Sequence, residues 1–88
     1  MNDQTIKVLL IEDSPTDAML VRATLGAVTG EGFAVTTADR LDNAILLANT
    51  GDFDVILLDL GLPGTQGLET FERVHDGAPQ IPIIVLSG

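Results

Sequence analysis

An aspartate closes the apolar run Val55-Ile56-Leu57-Leu58-Asp59, and its carboxylate is the group best placed for chemistry. Four apolar residues suit a strand buried on both faces, as in a parallel sheet. A charge set directly after them costs several kcal/mol to desolvate unless a cation or a donor meets it. Two more acids, Glu12 and Asp13, follow a second apolar run, Val8-Leu9-Leu10-Ile11, and Ser87 follows a third, Ile83-Ile84-Val85-Leu86. Open α/β sheets bind ligands beyond the carboxyl ends of their strands. An acid, an acid pair and a hydroxyl at three such ends therefore read as one site.

The donor set is hard oxygen, which suits magnesium in octahedral geometry with several waters retained. Asp13 and Asp59 can each give one oxygen, and a backbone carbonyl in the loop after Asp59 can give a third. Glu12 can hold a metal-bound water from one shell further out. A metal beside Asp59 keeps it ionised and neutralises an approaching phosphoryl group. The carboxylate can then attack phosphorus in line and become an acyl phosphate, with Ser87 donating a hydrogen bond to the phosphoryl oxygens. A plainer role for Glu12 and Asp13 is compensation of the dipole of the helix that follows, worth about 0.3–1 kcal/mol per charge. The two roles are compatible.

Apolar runs alternate with helical patterns, the signature of βα units around a parallel sheet. The first strand is expected near Lys7 to Ile11. A helix then opens with Ser14 as N-cap, Pro15 at its first position and Asp17 in its first turn. Ala18, Val21, Leu25 and Val28 should face the sheet, and Gly26 and Gly30 should help end the helix. Phe33 to Thr37 reads as the second strand. Asp39 or Arg40 opens a second helix with Leu41, Ala44, Ile45 and Ala48 on one face, stopped by Asn49-Thr50-Gly51. Val55 to Leu58 is the third strand, followed by a breaker-rich loop from Leu60 to Gly67 where a ligand would sit. A third helix is expected from about Leu68 to His75, buried through Leu68, Phe71 and Val74. Pro79 and Pro82 flank the entry to the last strand, Ile83 to Leu86.

Eighty-eight residues suit one domain, and an apolar fraction of 45% argues for a packed core. The formal charge is −9, from 13 acids against four basic residues, so neither nucleic acid nor an anionic membrane is an expected partner. No apolar run approaches the roughly 20 residues that span a bilayer, and no secretory signal is visible. Without cysteine there is no disulfide framework or thiolate metal site, and the default is a cytoplasmic protein. His75 reads as a solvated residue near a helix C-terminus and has no catalytic role here.

The segments Ile11-Glu12-Asp13-Ser14-Pro15, Asp54 through Gly64, and Pro82-Ile83-Ile84-Val85-Leu86-Ser87-Gly88 together resemble the receiver domain of bacterial two-component response regulators. The resemblance covers essentially the whole chain, with three motifs in the family's order and spacing. It implies a flavodoxin-like α/β fold: an open parallel sheet of order 2-1-3-4 with three helices. It implies that Asp59 is the phosphoacceptor, that Glu12 and Asp13 are the acidic pair for Mg2+ with Asp13 the closer ligand, that the Gly61 carbonyl is the backbone ligand, and that Ser87 is the switch hydroxyl. It implies a histidine kinase or phosphotransfer protein as partner, and a signalling module rather than an enzyme.

A family member normally continues through a fourth helix, a fifth strand bearing a lysine, and a fifth helix. Residues 1–88 are therefore expected to form a single receiver domain that is truncated at its C-terminal side. Lys7 opens the first strand, at the wrong end to replace that lysine. The last strand would then lie at the sheet edge, and pairing of two such edges about a two-fold axis is the expected route to a homodimer. Two rivals remain. One is a phosphorylation-independent module that dimerises or sequesters a kinase. The other is a magnesium-dependent phosphohydrolase with Asp59 as nucleophile. Such haloacid-dehalogenase-like sites resemble Asp-x-Asp, and Gly61 stands where the second aspartate belongs.

Overall fold

The computed structural model describes residues 5–29, 32–60 and 67–86. Elements run β1 (Ile6–Ile11), α1 (Pro15–Thr29), β2 (Phe33–Ala38), α2 (Leu41–Thr50), β3 (Val55–Asp59), α3 (Gly67–Gly77) and β4 (Ile83–Leu86). The strands form one four-stranded sheet of order β2-β1-β3-β4, with every neighbouring pair parallel. That is the order expected from the resemblance.

The central strands are apolar on both faces because both faces are covered. Leu9, Ile11, Ile56 and Leu58 pack with Leu41, Ala44 and Ala48 of α2 and Val74 of α3. The alternate residues Val8, Leu10 and Leu57 pack with Ala18 of α1. Full burial of each such aliphatic side chain is worth roughly 1.5–3 kcal/mol, so these runs dominate what holds the sheet together. β4 forms one edge, and its Ile84 and Val85 are 54% and 44% exposed.

Helix α1 starts as its sequence demands. The Ser14 hydroxyl accepts the Asp17 N–H at 3.3 Å, and the Ser14 carbonyl accepts the Ala18 N–H at 2.9 Å. Ala18 is buried and Val21 and Leu25 are half-buried, while the side chain of Val28 lies outside the described residues. Gly26 does not end the helix, which continues to Thr29. An interior glycine costs only about 1 kcal/mol, less than the apolar stripe gains by packing. Helix α2 is entered through Arg40, whose extended backbone (φ −138, ψ 148) lacks a side-chain capping bond. It stops at Gly51, whose N–H donates to the Leu47 carbonyl at 2.7 Å.

Helix α3 corrects one expectation. Leu68 is 71% exposed, and the buried stripe is Thr70 and Val74, continued by Ala78 just past the end of the helix. Those three recur at a spacing of four, and at about 100° per residue Leu68 sits roughly 200° away from Thr70. Phe71 is half-buried at the margin of the stripe and stacks on His75 with ring centroids 6.0 Å apart. Among the described residues no helix is long and apolar enough to cross a membrane.

Candidate functional site

β1 and β3 are adjacent and parallel, with Ile11 opposite Leu58. One residue further, Glu12 and Asp59 therefore stand level at the carboxyl ends of the two strands. Strand alternation sets their direction: Leu10 and Leu57 face α1, Ile11 and Leu58 face α2 and α3, and the next pair turns back towards α1. The backbone ladder holds Glu12 there, since its N–H donates to the Ala38 carbonyl of β2 at 2.9 Å.

Asp13 completes the group. Glu12, Asp13 and Asp59 each present a carboxylate oxygen, and these atoms all lie within 4.8 Å of one another. Glu12 is buried at 7% exposure, Asp59 is half-buried and Asp13 is exposed. Two like charges this close repel by roughly 3 kcal/mol at an effective dielectric near 20, so three full carboxylates call for a cation or a proton.

The protein's own relief is at Glu12. Burial pushes its carboxyl up from an ordinary 4.5 to about 7. The Ser14 N–H, donating to Glu12 Oε2 at 3.2 Å, opposes that rise, while a hydrogen bond shared with Asp59 and the negative charges of Asp59 and Asp17 add to it. A carboxylate trio on hard oxygen alone, relieved only in part by protonation, fits a divalent cation. A cleft of about 330 Å³ opens against Glu12 and Asp13, with Pro15, Thr37 and Asp39 on its walls.

The acids expected from the sequence are thus brought together. Gly61 and Ser87, expected as backbone ligand and switch hydroxyl, lie outside the described residues. Lys7 is at the far end of the sheet, as expected: its N–H donates to Asp54 Oδ2 at 2.8 Å and its Nζ stands 3.9 Å from Asp52. The burial of Glu12 relative to Asp13 was not anticipated. Alternation carries no signal for it, because Leu9 and Ile11, in phase with Asp13, are as buried as Val8 and Leu10, in phase with Glu12.

Comparison with known proteins identifies the family. The family model for the response regulator receiver domain matches residues 8–88. The cell cycle transcriptional regulator CtrA of Caulobacter vibrioides is 36% identical over 83 residues, which cover 94% of this chain and 35% of that protein. The chain therefore spans about a third of the length of the curated relatives it matches. Response regulator TrrA of Thermotoga maritima, solved in complex with Mg2+ and BeF, superposes with a TM-score of 0.78 at 27% identity, covering 93% of this chain and 69% of TrrA. TrrA has also been solved in complex with the histidine kinase ThkA. A response regulator from Burkholderia pseudomallei, solved with a phosphorylated aspartic acid, calcium ion and citrate, gives a TM-score of 0.75 at 31% identity, covering 94% of this chain and 47% of that one.

Proposed function

This chain is a response regulator receiver domain, and we propose that it accepts a phosphoryl group on Asp59 from a histidine kinase or phosphotransfer protein, with Mg2+ bound beside the acceptor. The observation that carries this reading is the convergence of Glu12, Asp13 and Asp59 within 4.8 Å at the carboxyl ends of β1 and β3. Residues 1–88 act as one receiver unit in this reading. Further support comes from two relatives: TrrA, solved with Mg2+ and BeF and also with the histidine kinase ThkA, and the Burkholderia pseudomallei regulator, solved with a phosphorylated aspartic acid.

Asp13 and Asp59 would supply direct carboxylate ligands, the Gly61 carbonyl a backbone ligand, and Glu12 an acceptor for a metal-bound water. When bound, the ion supplies positive charge against the phosphoryl oxygens. An Asp59 carboxylate oxygen forms the new bond to phosphorus while the bond from phosphorus to the donor imidazole nitrogen breaks. The imidazole leaves with that electron pair and is then protonated. Ser87 then donates a hydrogen bond from its hydroxyl to a phosphoryl oxygen. The chain acts as a signalling module in this scheme, with Gly61 standing where a haloacid-dehalogenase-like site has its second aspartate.

Exposing the protein to acetyl phosphate with Mg2+ tests the reading. One phosphoryl adduct is expected by intact mass, mapped to Asp59, lost with a chelator and absent in Asp59→Asn. An adduct that survives Asp59→Asn, or none on the parent, overturns it. Kinase binding without any adduct would instead fit a sequestering module.

The partner set also includes a second copy of this chain, paired through β4. The Ile56 N–H donates to the Pro82 carbonyl, so even-numbered residues of β4 face β3 and the backbone groups of Ile83 and Val85 face outwards. Antiparallel pairing about an axis at Ile84 would join Ile83 of each copy to Val85 of the other. A concentration-independent monomer mass removes this part. The charge of −9 disfavours nucleic acid and anionic membranes as partners, and the site of action in this reading is the cytoplasm.

A further inference from the structure

The opposite edge of the sheet carries a second feature, independent of the carboxylate site. β2 is an edge strand, and its sequence Phe33-Ala34-Val35-Thr36-Thr37-Ala38 holds no charge, no proline and no glycine. Six-residue segments of that composition at an exposed edge are templates for pairing with another chain. The ladder fixes which groups are presented. The Ile6 and Glu12 N–H groups donate to the carbonyls of Gly32 and Ala38, so even-numbered residues of β2 face β1. The N–H and C=O groups of Phe33, Val35 and Thr37 therefore point away from the sheet.

One of those outward groups is covered. Arg22, on α1, reaches over the edge, and its guanidinium donates to the Val35 carbonyl at 3.3 Å. Arg22, Gly26, Phe33 and Val35 also line a shared hollow of about 230 Å³, so the arginine lies along the flank of the strand. Val35 is near the middle of β2, where a strand added in register would need that carbonyl. A charge and a bulky planar group there block the approach sterically and electrostatically.

We propose that Arg22 closes the β2 edge against strand addition by a second copy of this chain. Its removal leaves the fold in place and opens an uncharged six-residue edge to a second β2. The proposal does not depend on phosphorylation of Asp59, nor on pairing through β4.

The test compares the parent with Arg22→Met, which keeps an unbranched stem and removes the donors and the charge, and with Arg22→Ala. Sedimentation velocity across a concentration series reads apparent mass, and amide hydrogen exchange reads the strand. Both variants are expected to show higher apparent mass than the parent at equal concentration, with new protection at the Val35 and Thr37 amides. Adding Ala34→Lys, at an exposed position of β2, is expected to cancel the gain, and adding Ile84→Lys on β4 is expected to leave it. Identical masses for parent and both variants overturn the proposal. So does a gain that Ile84→Lys cancels and Ala34→Lys does not, because the association would then run through the other edge.

Discussion

Glu12 offers a prediction whose size and sign both follow from the site. Its carboxyl rises from an ordinary 4.5 to about 7 in the folded protein. At about 1.4 kcal/mol per pH unit, the gap corresponds to roughly 3 kcal/mol. The folded value lies above the unfolded one, so this group's contribution to stability is full below pH 4.5 and is lost as pH rises through about 7. Metal-free protein should therefore lose up to roughly 3 kcal/mol of stability from this source across that window. Glu12→Gln keeps a donor for Asp59 and removes the charge. It is expected to match the parent at pH 4.5 and exceed it at pH 8, and saturating Mg2+ should narrow the difference at pH 8 by stabilising the parent's carboxylate. Urea denaturation with a chelator at a series of pH values measures the stability, and the Glu12 side-chain carboxyl carbon signal measures the titration directly. A Glu12 midpoint near 4.5, or a Glu12→Gln difference that does not change with pH, would refute the reasoning.

Other substitutions test the elements that hold the site. Ser14→Ala removes the hydroxyl that accepts the Asp17 N–H and should lower unfolding free energy by about 1 kcal/mol in chemical denaturation. Gly77→Ala would set a Cβ at 2.7 Å from Ile45 Cγ2, where α3 passes α2. Its expected cost is about 1–3 kcal/mol, reduced in a background of Ile45→Ala, as a double-mutant cycle would show. Leu68→Gln, at an exposed helix position, should leave the denaturation midpoint within about 0.5 kcal/mol of the parent. A loss typical of a core leucine would place Leu68 inside after all.

Three of the four strands were legible because each holds a short uninterrupted apolar run, whereas β2 showed only β-branched content. Val8 to Ile11, Val55 to Leu58 and Ile83 to Leu86 all fall where expected, and Ser14-Pro15 marks the start of α1 within a residue. The order of the strands came from resemblance to a family and not from periodicity, since apolar runs alone do not say which neighbours pair. The buried face of helix α3 is not legible from apolar residues alone, because one member of its buried stripe is Thr70, a polar residue. The apolar residues Leu68, Phe71 and Val74 offered a rival stripe at a spacing of three. Membership of the acidic trio was legible from strand ends, and its internal division was not. Adjacent acids look alike in sequence, and β1 is buried in both phases from Val8 to Ile11, so the apolar pattern does not separate buried Glu12 from exposed Asp13.

The central claim is that carboxylates from β1 and β3 share one divalent ion beside Asp59. Titrating the protein with sub-stoichiometric Mn2+ as a paramagnetic stand-in, while following amide signals, tests it most directly. Broadening should begin at Glu12, Asp13 and Asp59, be reversed by excess Mg2+, and weaken in Asp13→Asn. Broadening centred on Asp52 and Asp54, at the opposite end of the sheet, would contradict the account.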